Sequence, residues 1–396
     1  MKVNTDAKKI DEIFNRGIVS NILPTAEELF KRLKSGERLR IYIGADPTSS
    51  ALHLSHAKNY LFLEELRQLG HEVIILFGDF TAQIGDPTGR KDARPQLSEA
   101  QVKDNVQGWL EQIKPLMDFE DKENPPRILF NNEWLSKLSF KEVVSLAANF
   151  TVQQMLERDM FEKRLKDNAP VHLHEFLYPL MQGYDSVAMD VDIELCGTDQ
   201  IFNALAGRTL MKKLKNKDKF VVAVNLMENP KTGELMSKSK GTGVFLSLPP
   251  NEMFGSIMAQ PDEMIEIFLI NNTRVSLDEV KDILAKGPRL AKARAAFEIV
   301  KKFYGEEAAK IAEQEFIDVF QKKSVVPESI VQLRGNYVEE LITQGVVASK
   351  TELRRLLSTG SILSMESGEK LTEIPTTVTA PATLKIGKRR FVKLLP

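Results

Sequence analysis

The chain has 396 residues, a formal net charge of −1 at pH 7 and a hydrophobic fraction of 42%. That length exceeds what one core usually serves, so two or three domains are expected, and the apolar content excludes a disordered protein. Near-neutral charge excludes a composition built wholesale for polyanions, and a single cysteine, Cys196, excludes an internal disulfide. The opening MKVNTDAKKIDEIFNRG lacks the apolar core of a signal peptide, and no apolar run approaches the roughly 18 residues that span a bilayer. A cytoplasmic protein with no membrane partner is expected.

Up to about residue 248, strand-like runs alternate with helical patterns. LRIYIG (39–44) reads as a buried strand, followed by a helix over 52–69. HEVIILFGDF (71–80), RILFNN (127–132), AMDVDIELCG (188–197) and KFVVAVNLM (219–227) read as further strands. Such alternation predicts an α/β fold with a parallel sheet covered on both faces. From about 249 to 320 the spacing is helical, QKKSVVPES (321–329) reads as a linker, and the part from 331 mixes two helices with short strands.

ADPTSSALHLSH (45–56) joins the first strand to the first helix and holds two of the five histidines. A strand–turn–helix entry of this kind offers free N–H groups and a positive dipole end to phosphate. His53 and His56, three residues apart in the first turn and a half, share a helix face and can donate hydrogen bonds to phosphate oxygens. Packing of one imidazole is the plain alternative. A metal site is another, with His172, His174 and Glu175 of VHLHE as further ligands, although neither spacing matches a known zinc helix motif.

HLSH (53–56) resembles the HIGH signature of the class I aminoacyl-tRNA synthetases, and LMSKS (235–239), in a Gly-flanked loop over 231–243, resembles their KMSKS signature. YIGADPTSSALHLSH, GDFTAQIGDPTGRKDAR, YPLMQGYDS and CGTDQ look like the tyrosyl-tRNA synthetases of the bacterial type. GVVASKTELRRLLSTGSI with LKIGKRRFVKLL resembles the S-four-type RNA-binding module that ends those enzymes. The resemblance covers nearly the whole chain. It implies a Rossmann-like catalytic domain over 1–248, a helical anticodon-arm-binding domain over 249–326 and a small α+β RNA-binding domain over 331–396.

The implied reaction is ATP-dependent activation of L-tyrosine, with pyrophosphate released, then transfer of tyrosine to tRNA(Tyr). Magnesium arrives with ATP, held by the phosphates rather than by a protein cage. In this resemblance His53 and His56 contact the ATP phosphates and Thr48 lies beside the γ-phosphate. Arg90 and Arg94, helped by Lys91, close on pyrophosphate, and so does Lys238, with Ser239 beside it. Gly44, Asp46, Ser55, Gly197, Asp199 and Met236 complete the ATP site. Tyr42 and Asp185 match the partners of the phenol hydroxyl, while Tyr178, Gln182, Asp86 and Gln200 match the remaining amino-acid site. A site built for a hydroxyl rejects its deoxy analogue because buried partners are left unpaired, a rule for which tyrosyl-tRNA synthetases are themselves the standard example. On a helix, Tyr178, Gln182 and Asp185 share one face. Cys196 is assigned packing only.

Two signature positions depart from the pattern: Ser55 stands where HIGH has glycine, and Leu235 where KMSKS has its first lysine. Lys238, Lys240, Arg90 and Arg94 are then expected to carry the pyrophosphate site. In the tail, Lys385, Lys388, Arg389, Arg390 and Lys393 fall within nine residues that contain no acid, and Lys350, Arg354 and Arg355 share a predicted helix. Such clusters in a near-neutral chain suit phosphate, hence tRNA. The family implies a homodimer. Competing readings are a tryptophan–tRNA ligase, against which Tyr42 with Asp185 argues, a non-catalytic RNA-binding relative, and a metallohydrolase.

Overall fold

Apolar runs become six strands of one sheet: β1 (Val19–Leu23), β2 (Arg40–Ala45), β3 (Glu72–Phe77), β4 (Arg127–Phe130), β5 (Ile193–Gly197) and β6 (Phe220–Val224). In this computed structural model the described residues are 2–88, 97–157, 159–236, 242–320, 329–332, 337–365, 367–374, 382–387 and 390–395. Arg90, Lys91, Arg94, Lys238, Ser239, Lys240, Lys388, Arg389 and most of the expected linker lie outside them.

The strand order is β1-β6-β5-β2-β3-β4. Strands β2 to β6 pair in parallel, and β1 pairs antiparallel with β6 at the edge. Strands β3, β5 and β6 are buried along most of their length, as strands covered on both faces must be, whereas β4 at the sheet edge is only half-buried. Strand β1 was not foreseen. Its VSNIL carries two exposed polar residues and an irregular register at Val19–Asn21, so it gives no long apolar run. The chain moves outward from β2 to β3 and β4, then crosses back to β5 and β6. The order therefore reverses between β2 and β5, the place where open α/β sheets bind ligands at their strand C-termini.

The Leu54–Gln68 helix follows β2 and is buried along ten positions. One cover is the Ile265–Asn272 helix, whose Asn272 donates to the carbonyl of Leu54 at 2.8 Å. The end of that covering helix leaves carbonyls without helical donors. Arg16 supplies them, donating to Leu269, Ile270, Thr273 and Val275 at 2.7–3.1 Å. Helices Pro250–Met258, Leu277–Ala285 and Pro288–Tyr304 complete the expected helical stretch.

The chain divides into two compact units, Met1–Ala309 and Lys310–Pro396. The second holds a four-stranded sheet of β7 (Ser329–Gln332), β8 (Ile362–Ser364), β9 (Ala382–Ile386) and β10 (Arg390–Leu395), ordered β7-β10-β9-β8. Tyr337, Leu341, Leu353, Leu356, Ile362, Leu384 and Val392 form its core with the Tyr337–Thr343 and Lys350–Ser358 helices. The four-residue β7, parallel to β10, was also unforeseen.

Candidate active site

The turn from β2 into the 54–68 helix is clamped from one side. The Glu99–Ile113 helix crosses it with three polar side chains. Asn105 donates to the carbonyl of Pro47 at 2.8 Å and Trp109 Nε1 to that of Ser49 at 2.5 Å. Gln112 donates to Ser50 at 2.9 Å and accepts from the N–H of Leu52 at 2.8 Å. Nothing in the local sequence at 46–52 announces these partners, which lie about sixty residues away.

A second clamp joins the two signature segments. Leu54 N–H donates to Val244 at 3.0 Å, and Leu246 N–H to Leu52 at 2.9 Å. The other limb of the 231–243 loop is held where Met236 N–H donates to Met227 at 3.1 Å. The two limbs meet beside His53, where a Cβ on Gly243 would lie 3.6 Å from both His53 Cβ and Met236 Cγ. Leu235, the departure from the signature lysine, is 44% exposed, and Met236 is buried.

His53 is the N-cap of the helix, in extended conformation, rather than a residue of its first turn. Its ring centroid still lies 4.0 Å from that of His56. His56 Nδ1 accepts from the N–H of His53 at 3.2 Å, which leaves Nε2 to carry the proton. Burial pushes His53 down to about 4 and His56 to about 3, the latter helped by His53 and Lys58. Both imidazoles are neutral at pH 7, each with one N–H to donate. Burial also brings Lys58 down to about 7, and its ammonium donates to Asn59 Oδ1 at 2.9 Å.

A cavity of about 300 Å³ opens between β2 and β5. Of the residues singled out above, Tyr42, Gly44, Asp46, Thr48, His56, Asp86, Tyr178, Gln182, Asp185, Gly197 and Gln200 line it, and so does Cys196, which was assigned packing only. Tyr178, Gln182 and Asp185 do share one face, on the Leu173–Met189 helix. His53, Ser55, Asp199 and Met236 are not among the lining residues. Asp199 is exposed at the cavity edge. Asn59, Thr81, Trp109, Asn131 and Glu194 also line the cavity and were not foreseen.

The polar groups are chained. Tyr178 and Thr81 each donate to Asp46 at 2.7 Å. This contact needs Gly78, because a Cβ there would stand 2.0 Å from Asp46 Oδ1. Gln200 donates to Asp86 at 2.7 Å, and Asp86 accepts from Thr88 N–H and hydroxyl at 3.0 and 2.6 Å. Asp185 accepts from Trp134 Nε1 at 2.7 Å and from Asn131 at 3.3 Å. Burial raises the Asp185 pKa well above the usual carboxylate range despite these donors. Tyr42 contacts Ser186 Oγ at 2.9 Å. One end of the cavity is thus rich in carboxylates, which suits an ammonium and a hydroxyl. The other holds neutral N–H and O–H donors, which suits phosphate.

The profile of the family described as tRNA synthetases class I (W and Y) matches residues 34–321. The chain belongs to that family. It is 41% identical to the tyrosine–tRNA ligase of Carboxydothermus hydrogenoformans, with 98% of each chain covered. It is 38% identical to that of Thermotoga maritima, over 97% of this chain and 96% of the relative. Among solved structures, a C-terminally truncated Aspergillus nidulans mitochondrial tyrosyl-tRNA synthetase shares the fold at TM-score 0.65 and 22% identity, over 79% of this chain and 94% of that one. The Archaeoglobus fulgidus tyrosyl-tRNA synthetase complexed with L-tyrosine does so at TM-score 0.60 and 19% identity, over 77% and 99%.

The metal alternative finds no cluster here: among the described residues no group of three or more His, Cys, Asp and Glu side chains is placed to hold an ion. Glu175 is instead paired with buried Arg164 at 2.7 Å and accepts from the N–H of His172. In the second unit, Arg354 and Arg355 are exposed. Lys350 reaches Glu339 at 3.6 Å. Arg390 differs from the others: it pairs with Glu352 at 3.0 Å and donates to the carbonyl of Val346, so it braces the fold.

Proposed function

We propose that the chain is a tyrosine–tRNA ligase that activates tyrosine in the cavity between β2 and β5. The observation that carries this is the pair Tyr42 and Asp185, two buried groups facing one cavity, able to give and take the hydrogen bonds of a phenol hydroxyl. An indole offers no oxygen to accept from Tyr42, which disfavours tryptophan. Asp46, Asp86, Tyr178, Gln182 and Gln200 receive the ammonium end. The tyrosine carboxylate attacks the α-phosphorus of ATP, a P–O bond forms, and the bond to pyrophosphate breaks. His56, Thr48 and, from the helix cap, His53 donate to phosphoryl oxygens as charge develops there. Magnesium travels with the ATP phosphates. Arg90, Arg94 and Lys238 bind the leaving pyrophosphate, and Asp199 with Gly197 lies towards the ribose.

Transfer of tyrosine to the 3′ end of tRNA(Tyr) follows. Arg354, Arg355, Lys350, Lys388 and Arg389 supply phosphate contacts, and the helical stretch over 249–326 receives the anticodon arm. A homodimer is supported by apolar surface on the first unit. Phe140, Val144 and Leu173 are 84%, 52% and 79% exposed, around a cavity lined by Leu138, Val143, Leu146, Leu177 and Met181. A tRNA substrate suits the cytoplasm as the site of action. Among the described residues no helix is long and apolar enough to cross a membrane. Equilibrium dialysis against tyrosine, phenylalanine and tryptophan tests the reading: tyrosine binds at least tenfold more tightly than either, and equal binding of phenylalanine contradicts it.

A further inference from the structure

Behind Tyr42 lies a buried charged pair with no part in the reaction just described. Lys219, the residue just before β6, and Glu194, the second residue of β5, form an ion pair with 0% and 2% side-chain exposure. Burying two charges costs free energy that an apolar pair would avoid, so the pair calls for a reason. The Lys219 ammonium also donates to Ser186 Oγ at 2.9 Å and stands 5.9 Å from the centroid of the Tyr42 ring. Ser186 Oγ in turn is 2.9 Å from the Tyr42 hydroxyl. The second oxygen of Glu194 accepts from Gln182 Nε2 at 2.9 Å. Room for the ammonium comes from Gly207, where a Cβ would lie 2.5 Å from Lys219 Nζ and 2.8 Å from Ser186 Oγ.

The direction of this chain follows from donor chemistry. An ammonium has three donors and no acceptor, so Ser186 accepts from Lys219. The single Ser186 proton then goes to the closer partner, Tyr42, since Glu194 Oε2 lies 3.5 Å away. Burial, with Glu194 and Asp185 nearby, keeps the Tyr42 phenol protonated. With Ser186 donating to it, Tyr42 keeps its own proton to give, and the takers are Glu194 and whatever group is bound in the cavity that Tyr42 lines.

We infer that Lys219 is a specificity-determining positioning residue. Its ammonium polarises the Ser186–Tyr42 chain so that Tyr42 donates to the phenol oxygen of tyrosine while Asp185 accepts the phenol proton. This rests on the assignment of the cavity to tyrosine. Lys219→Met alone strands Glu194 and invites unfolding, so the test is the double variant Lys219→Gln with Glu194→Gln. It keeps a hydrogen-bonded pair that can run in either direction. In ATP–pyrophosphate exchange, kcat/KM for tyrosine falls at least tenfold, kcat/KM for phenylalanine stays within twofold, and the KM for ATP does not move. Equal falls for both amino acids, or no change, overturn the proposal. Tyr42→Phe serves as control. Unchanged tyrosine–phenylalanine discrimination there sinks the cavity assignment and this inference with it. Discrimination lost in Tyr42→Phe but kept in the double variant sinks the role of Lys219 alone.

Discussion

The N–H of Leu246 donates to the carbonyl of Leu52 at 2.9 Å. Nearly two hundred residues separate them, yet this bond fixes the exit of the second signature loop against the turn that begins the first. The described residues on both sides of 237–241 are thus held to the fold, through Met236 on Met227 and through Val244 and Leu246 on the turn before His56.

Contacts made only as pyrophosphate departs raise the rate rather than ground-state affinity. Lys238→Ala should slow tyrosine activation by about a hundredfold or more, the scale of losing one charge-stabilising group. Tyrosine binding by equilibrium dialysis should stay unchanged. A variant that forms adenylate at the wild-type rate in single-turnover experiments ends this assignment.

Tyr178 and Asp46 tie the 173–189 helix to the end of β2 through a 2.7 Å hydrogen bond. Tyr178→Phe removes a donor to a carboxylate, about 1.5 kcal/mol or roughly tenfold. The KM for tyrosine should rise by that factor with the KM for ATP unmoved. A rise in the ATP KM instead would place Tyr178 on the wrong substrate.

His71 is buried, accepts from the N–H of Leu39 at 3.2 Å, and is pushed by burial down to about 4. Its folded pKa lies below its unfolded value, so the unfolded chain binds the extra proton. Stability from this group is full above about pH 6.5 and is lost as pH falls towards 4. His71→Asn keeps an acceptor for Leu39 and cannot titrate. The stability gap between wild type and variant in urea should narrow by on the order of 2 kcal/mol from pH 7 to pH 5. A gap that stays constant or widens contradicts the buried neutral imidazole.

Arg354 and Arg355 are exposed residues of the second unit, whereas the residues that line the activating cavity all belong to the first. Reversal of both to Glu should weaken tRNA charging at least tenfold and flatten its dependence on salt, since fewer counterions are released. Pyrophosphate exchange should be unaffected. Loss of exchange in the same variant would show misfolding rather than a lost phosphate contact.

Much of this was legible in the sequence. Parallel strands are apolar runs, and β2 to β6 were marked as such, the half-buried β4 included. The shared face of Tyr178, Gln182 and Asp185 followed from helical spacing alone. Strand β1 was not legible, because an edge strand with one exposed stretch has neither a long run nor clean alternation. The clamp of Asn105, Trp109 and Gln112 on the 46–52 turn is a tertiary contact with no local signal. Lys219 and Glu194 left a faint one, a charge beside or inside an apolar strand, whose meaning depends on a neighbour across the sheet. Arg390, read as part of a basic patch, also pairs with Glu352, a contact that composition does not show.

The central claim is tested most directly by ATP–pyrophosphate exchange with each of the twenty amino acids in turn. The account predicts exchange that depends on tyrosine. Exchange with tryptophan alone, or with no amino acid at all, would contradict it.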